Sequence, residues 1–535
     1  MPLYLALLSS LLLLASCKNS DNSEDSANAQ SEAATRIRNG EQLARIHCAT
    51  CHSFPEPALL TKRSWKFLLA YMGLRMGVED LSLLENAKPA ELDMFRNLKK
   101  LAALEGKIPT APMVTEDQWI AVRDYYLQAA PAISLPQATK PELYAGLDLF
   151  QPSPHAYDLK FPITSLIFID ESNEEILIGD SGYDRLTALD RNLKVQTDYD
   201  TKGYLWVQAE QKNDGVYLLS IGDLMGGYAT NKLGKISYGV RQGSQYANKG
   251  IALGGLHRPA AMAFGDFDND NKDEIVVANF GFANGSVDVH KVMANGWQFE
   301  QEPSVTLSTD PSPVDCKVED FNQDGLNDVA VLFGGARENL SLFLNRGNGK
   351  FERKILIEQH AAFGYVRFKW MDFDSDGDLD VITVNGDNFD STPYNTLKPY
   401  HGIRLYLNQG DLTFTESYFH PMYGAYGVEV QDFDQDGDLD LAAISFNPDF
   451  DSTRNESFVY LENQGETRFE TKTIDMPKTD RWMTIASGDI DSDGDKDLIL
   501  GGSYVPAGLS VDNPELMKQM KEKGRPLIIL ENKTR

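Results

Sequence analysis

Residues 372–386 read DFDSDGDLDVITVNG, an acidic nine-residue segment running directly into an apolar strand-like run. The segment recurs as DFDNDNKDE from Asp266, DFNQDGLND from Asp320, DFDQDGDLD from Asp432 and DIDSDGDKD from Asp489, at spacings of 54, 52, 60 and 57 residues. Each copy lies between two apolar runs, and a third run follows that ends in a turn, as in LFLNRGNGKF, LYLNQGDLTF and VYLENQGETRF. A period of about 50–60 residues holding four short strands is the length of a propeller blade, a unit that buries its faces only against its neighbours.

Two weaker copies lie upstream. Phe168-Ile169-Asp170 before Ile176-Leu177-Ile178-Gly179, and Asp214-Gly215 before Val216-Tyr217-Leu218-Leu219, have the strands without the carboxylates. Seven blades result. The chain ends on PLIILENKTR, a third strand, so the last blade lacks its fourth. The segment HAYDLKFP at 155–162 is expected to supply it and remove an open sheet edge.

Each acidic loop reads as a calcium site, because a hard cation takes about six to eight oxygens, and side chains at positions 1, 3, 5 and 9 with one carbonyl approach that number. The ligands expected are Asp266, Asp268, Asp270 and Glu274; Asp320, Asn322, Asp324 and Asp328; Asp372, Asp374, Asp376 and Asp380; Asp432, Asp434, Asp436 and Asp440; and Asp489, Asp491, Asp493 and Asp497. Up to five Ca2+ ions are implied. Gly at position 6 permits the bend, and the first copy, with Asn271 there and Glu274 at position 9, is expected to be weaker. These repeats resemble the FG-GAP and VCBS repeats of integrin-like propellers over residues 155–535.

The N-terminal part is of another kind. Residues 1–16, MPLYLALLSSLLLLAS, form an apolar run of signal-peptide length. Leu14-Ala15-Ser16-Cys17 resembles a bacterial lipobox, which implies cleavage before Cys17, its lipidation, and a place in the cell envelope, periplasmic or on the outer surface. Residues 17–34 are polar and acidic and read as a tether. Apolar residues then recur at helical spacing from Ile37 into Cys48-Ala49-Thr50-Cys51-His52. Cys-x-x-Cys-His sets two thiols one turn apart for the two haem vinyl groups, with an imidazole placed for the iron. A zinc half-site would need further ligands at similar spacing and a redox dithiol a βαβ setting, and the sequence has neither.

Gly40, eight residues before Cys48, and an aromatic helix TEDQWIAVRDYYLQAAP that opens on a Thr115/Gln118 capping box complete a resemblance to class I cytochrome c over residues 35–132. The resemblance implies a small all-α domain whose last helix crosses its first over a single covalent haem c, with Cys48, Cys51 and His52 as haem-binding residues. Met72, Met76, Met94 and Met113 all lie where a second axial ligand is sought. Met72, in a Tyr-Met-Gly segment like that of propeller-linked cytochromes, is preferred. Met113 is the alternative, and if it is not the ligand it is expected to pack on the first turn of the last helix. Residues 133–154 read as a linker.

The whole chain is therefore expected to be a small all-α cytochrome domain followed by an all-β seven-bladed propeller. A formal charge of −29 with no basic block argues against nucleic acid as a partner. Cys316, alternating with Val314 and Val318, reads as a core residue, and no disulfide is expected. The propeller face opposite the acidic loops gathers His257, Arg258, Arg367, His420, Arg481 and Trp482 and is the expected ligand face. No catalytic triad or nucleotide fingerprint is visible, so electron transfer is expected rather than self-contained catalysis, with the propeller binding a redox partner, a quinol or a substrate. The other reading makes the propeller a dehydrogenase- or lyase-type domain or an adhesion module, with the cytochrome as accessory.

Overall fold

The computed structural model describes residues 37–535 apart from 51, 201–204, 213–214, 223–231, 244, 282–283, 389–391, 453, 506–507, 510 and 535. Cys17 and Cys51 therefore lie outside the described residues.

Seven antiparallel sheets follow one another along the chain. Blade 1 runs from Thr164 to Asp200, blade 2 from Leu205 to Leu256, blade 3 from Pro259 to Ser308 and blade 4 from Pro313 to Glu358. Blade 5 runs from Tyr365 to Pro421, blade 6 from Ala425 to Thr473, and blade 7 from Trp482 to Asn532. Successive strands pair within each blade, and the first strands stand side by side around a central channel.

The second strands explain why the sequence shows continuous apolar runs there rather than alternation. Asp328–Phe333, Asp380–Asn385, Asp440–Ser445 and Asp497–Gly502 are buried at every position, because both of their faces meet a neighbouring blade. The core is accordingly a ring of separate layers between blades. Val287, Val329 and Phe343 share one between blades 3 and 4, and Ile444, Tyr460, Leu498 and Leu530 share another between blades 6 and 7. Cys316 is fully buried in the first of these, as its alternation predicts.

Closure differs from expectation. The fourth strand of blade 7 is Phe150–Ser153, paired antiparallel with Leu527–Asn532 in the register Phe150↔Asn532 to Ser153↔Ile529. Phe150 carries the joint: it is 2% exposed and meets Phe433 and Tyr460 edge-on. Residues 155–162 form no strand, although Tyr157 is buried in the layer between blades 7 and 1. A short strand, Leu143–Ala145, also adds to blade 6, parallel to Phe469–Thr473. The span 133–154, expected as linker, thus contributes two strands to the propeller.

Ahead of the propeller the described residues form four α-helices: α1 over 37–47, α2 over Lys62–Arg75, α3 over Pro89–Leu104 and α4 over Glu116–Ala129. The capping box at the start of α4 is present, with Thr115 N–H donating to Gln118 Oε1 at 2.9 Å and Gln118 N–H to Thr115 Oγ1 at 3.3 Å. The helix α1 crosses α4 at Gly40, where a Cβ would stand 2.2 Å from the Ala121 carbonyl and 2.8 Å from Tyr125 Cβ. A fifth helix, α5 over Pro514–Lys523, lies in the long loop between the second and third strands of blade 7.

The helices sit on the propeller face opposite the acidic loops. Arg63 pairs with Asp512 at 2.8 Å and lies over the Tyr394 ring at 4.0 Å, Ser64 and Thr396 share a 3.0 Å hydrogen bond, and Lys88 donates to Val511 O at 2.8 Å. Among the described residues no helix is long and apolar enough to cross a membrane.

Candidate functional sites: acidic loops and the Cys48–His52 turn

The five acidic loops share one internal design. Position 1 accepts the N–H groups of positions 5 and 6, as Asp372 does from Asp376 and Gly377, both at 3.1 Å. Asp266, Asp320, Asp432 and Asp489 do the same. Position 2 turns inward, Phe433 being fully buried and Phe373 5% exposed. Position 4 holds a non-glycine residue at positive φ in every copy, from 58° at Asn269 and Gln323 to 66° at Ser492. Position 6 reaches φ of 86° to 102° where it is Gly, while Asn271 stands at 64°, within the left-handed region that Asn tolerates.

Position 9 does more than the sequence reading assigns to it. Asp380 is 1% exposed and accepts the N–H of Phe373 and of Asn408, each at 2.8 Å. Asp440 takes the N–H of Phe433 at 3.3 Å and of Asn463 at 2.8 Å, and Asp497 those of Ile490 at 3.0 Å and Asn532 at 2.8 Å. The asparagine ending the third strand of blades 4 to 7 thereby ties strand to loop, whereas that of blade 3 ends on His290. The asparagine side chain reaches further still, Asn345 Nδ2 donating to Phe267 O of the preceding blade at 3.0 Å and Asn532 Nδ2 to Phe433 O at 2.8 Å. Sequence reasoning misses Asn345, Asn408, Asn463 and Asn532 as site residues, although their recurrence in LNRG, LNQG, ENQG and ENK is a signal that could have found them.

Carboxylates crowd in these loops. Oxygens of Asp266, Asp268 and Glu274, of Asp372, Asp374 and Asp380, of Asp432, Asp434 and Asp436, and of Asp489, Asp491 and Asp493 lie within 4.8 Å of one another in each set. Burial and neighbouring carboxylates push Asp374, Asp434 and Asp491 up, and burial moves Asp440 to about 7 and Asp497 to about 6. Like charges held at such range form the oxygen-rich arrangement that a divalent hard cation relieves. In the second loop Asn322 interrupts the set and donates to Asp324 at 3.0 Å.

The Cys48–His52 turn lies at the other end of the molecule. Cys48–Thr50 form one turn of 3-10 helix continuing α1. His52 is largely buried; burial lowers its pKa, and its Nδ1 lies 2.9 Å from Ser53 O, which places a proton on Nδ1 and leaves Nε2 as the basic nitrogen. Cys48, Met72 and Met76 all pack on one apolar cluster formed by Trp65, Leu68, Leu69, Trp119, Val122 and Tyr126. Met72 also touches the adjoining cluster around Phe67 and Leu74. Met113 is 50% exposed, and its backbone N–H donates to Met76 O at 2.9 Å. Packing on the first turn of α4 falls instead to Val114, 5% exposed.

The expected ligand face is not an open mouth. Arg481 and Trp482 are fully buried, and Arg481 clamps two loops by donating to Val505 O at 2.6 Å and to Asn447. His420 is fully buried, and burial lowers its pKa to about 3, so it is a neutral imidazole in the sheet of blade 5. His257 Nδ1 meets Asn284 O at 3.2 Å, and Arg258 at φ 51° lies within electrostatic range of Glu105 on the helical side. Of the six residues only Arg367 lines the central channel, a space of about 200 Å3 that it shares with Asp315, Lys317, Lys369 and Glu429. Lys369 and Glu429 pair there at 2.9 Å.

Fold and loops together define a seven-bladed β-propeller with FG-GAP repeats. The FG-GAP-like repeat model matches residues 266–331 and 320–383, which run from the acidic loop of blade 3 through blade 4 into the second strand of blade 5. Among solved structures the chain is similar to the WD40 domain of Neurospora crassa Pan2, at 11% identity and a TM-score of 0.38, over 65% of this chain and 94% of that one. No curated protein matches the chain. A propeller of such repeats suits a binding or recognition module.

Proposed function

We propose that this chain is an exported electron-transfer lipoprotein: a helical domain carrying one covalent haem c, seated on a calcium-stapled propeller that recognises a redox partner or substrate. The observation that carries the reading is the meeting of Cys48 and Met72 on one apolar cluster beside a largely buried His52, under the α1–α4 crossing at Gly40. The donor set fits the group, since a thiol, an imidazole with Nε2 free of its Nδ1 hydrogen bond, and a thioether are what a c-type centre uses.

Cys48 and Cys51 would hold the haem by thioether bonds, and His52 and Met72, with Met113 as alternative to Met72, would ligate its iron. Bound there, the group supplies one-electron chemistry. The protein's own part is to keep water away with Trp65, Trp119 and Tyr126 and to hold the His52 proton at Nδ1 against Ser53 O. Up to five Ca2+ ions in the acidic loops fit the crowded carboxylates and would fix the face away from the helices. Lipidation of Cys17 would hold the protein to a bacterial envelope membrane.

The test is whether purified protein keeps its haem through denaturation, as covalent attachment requires. Loss of colour on denaturation of the wild type, or colour retained by the double variant Cys48→Ser/Cys51→Ser, would refute it. Reduction of the haem by a panel of sugars, alcohols and quinols then identifies the electron donor, and a Cys17→Ser form is expected to leave the membrane fraction.

A further inference from the structure

Cys48 packs on the apolar cluster of the helical domain, and the segment that follows His52 is held from both the helical domain and the propeller. None of Cys48–Thr50 is buried, and Thr50 Oγ1 donates back to His47 O at 2.7 Å. Beyond His52 the chain runs through an irregular stretch into a 3-10 turn at Pro57–Leu59, and carbonyls along it are held by aromatic donors. Tyr126 donates to Pro55 O at 2.9 Å and Trp65 Nε1 to Pro57 O at 2.8 Å, both from the helical domain. The third donor belongs to the propeller: the Tyr400 hydroxyl meets Leu59 O at 3.3 Å. Ser53 Oγ donates to Gln359 O at 3.4 Å, also across the boundary. Ala362, 6% exposed, and Tyr400 pack on the same apolar cluster as Cys48 and Met72.

This wall is stiff because blade 5 builds it. The Tyr400 ring is stacked on Phe363 at 6.0 Å with the His360 ring edge-on at 4.5 Å. Asn385, on the second strand, donates to both Phe363 O at 3.0 Å and Tyr400 O at 2.9 Å. Arg404, on the third, donates to Tyr400 O at 3.0 Å, and the buried Lys398 holds Ala362 O at 3.2 Å. Ala362 and Tyr400 are loop residues, but side chains from the second and third strands pin their backbone, so the surface offered to residues 53–59 is fixed by the blade.

We propose that Tyr400, with Ala362, is a positioning residue for the segment 52–59 that follows the two thiols, so that blade 5 completes the redox site and sets its potential. The inference rests on the reading of the Cys48–His52 turn as a haem site. A docking role alone would treat all contacts across the boundary alike, whereas positioning singles out those against residues 53–59. The Arg63–Asp512 pair, 2.8 Å apart and made by α2, supplies the comparison.

The experiment uses the full-length protein with Tyr400→Phe, Ser53→Ala and Asp512→Asn, and reads amide hydrogen exchange over residues 52–60 together with the midpoint potential and low-temperature spin-resonance spectrum of the haem. Tyr400→Phe is expected to speed exchange there by at least about fivefold, the worth of one lost hydrogen bond, and to move potential and spectrum. Ser53→Ala should do the same to a smaller degree, and Asp512→Asn should move neither. Wild-type exchange and potential in Tyr400→Phe, or an equal shift in Asp512→Asn, would overturn the inference. A wild type without haem would overturn the haem reading instead, and exchange alone would still decide whether Tyr400 holds the segment.

Discussion

The propeller and the helical domain use their glycines, their charges and their buried groups in different ways. In the propeller one device is repeated: an acidic loop, a buried carboxylate at its end, and an asparagine that ties both to the third strand. In the helical domain every supporting contact is made once, as with Gly40 against Ala121 or Trp119 Nε1 on Asp80 at 3.0 Å. Residues 37–132 carry twelve Lys and Arg against eleven Asp and Glu, so the charge of −29 belongs to the rest of the chain. Repetition makes the propeller depend on whatever neutralises its loops, while the helical domain depends on individual fits.

The largest effect expected is therefore calcium removal. A site held at about a hundred times its dissociation constant contributes about 2.7 kcal/mol by mass action, and five loops act together. Chelation should lower the melting temperature of the propeller by many degrees and leave that of the helical domain almost unchanged. Asp376→Ala should cause a fraction of the same loss. A propeller melting temperature indifferent to chelator would make the five loops solvated turns and erase the contrast.

Much of the propeller is legible in the sequence because each copy corroborates the next, down to the two blades without carboxylates. What stands alone is not. Phe150–Ser153 escapes a sequence reading because Pro152 breaks the look of a strand, although proline is tolerated at a sheet edge. The burial of His420, Arg481 and Trp482 has no local signal: loop residues read as a ligand face are in fact enclosed by long loops and by the sheet, and sequence shows no distance between them. In the helical domain the capping box is readable from spacing and the α1–α4 crossing only from the resemblance to cytochrome c, whereas the choice of Val114 over Met113 for the first turn of α4 rests on a direction that spacing does not carry. The role of blade 5 beside Cys48 is invisible, since Tyr400 lies more than three hundred residues along the chain.

Two glycines sharpen the comparison at smaller scale. Gly40 is required for space, because an added Cβ meets backbone at 2.2 Å, so Gly40→Ala should destabilise the helical domain by about 1–3 kcal/mol or separate α1 from α4. Gly437 is required for its φ of 102°, and a Cβ there meets nothing within 4 Å. Gly437→Ala should cost about 1–2 kcal/mol in strain, and Gly437→Asn less, as Asn271 serves the first loop. Denaturant melts that ranked Asn no better than Ala would show that the loop needs more than the angle.

The smallest effect expected is a response to acid confined to the helical domain. Burial alone would raise Asp80, but hydrogen bonds from Ser82, Trp119 and Arg123, with the nearby Arg123 charge, outweigh it and hold the carboxyl below its usual 3.8. A carboxylate whose folded pKa is depressed contributes stability that is fully present above the unfolded value and is lost as pH falls through the folded one. The helical domain should therefore keep its stability from neutral pH down to about 4 and weaken below that, as Asp80 releases Trp119 Nε1, now at 3.0 Å, and Arg123, now at 3.2 Å. Asp80→Asn keeps the shape and removes the charge, so it should lower stability at pH 7 by about 1 kcal/mol and flatten the dependence below pH 4. Asp440 and Asp497, displaced upward, give the propeller the opposite sign in the absence of calcium. Helical-domain melts between pH 2 and 7 in which the wild type and the Asp80→Asn variant lost the same stability on acidification would place the acid response elsewhere in the domain.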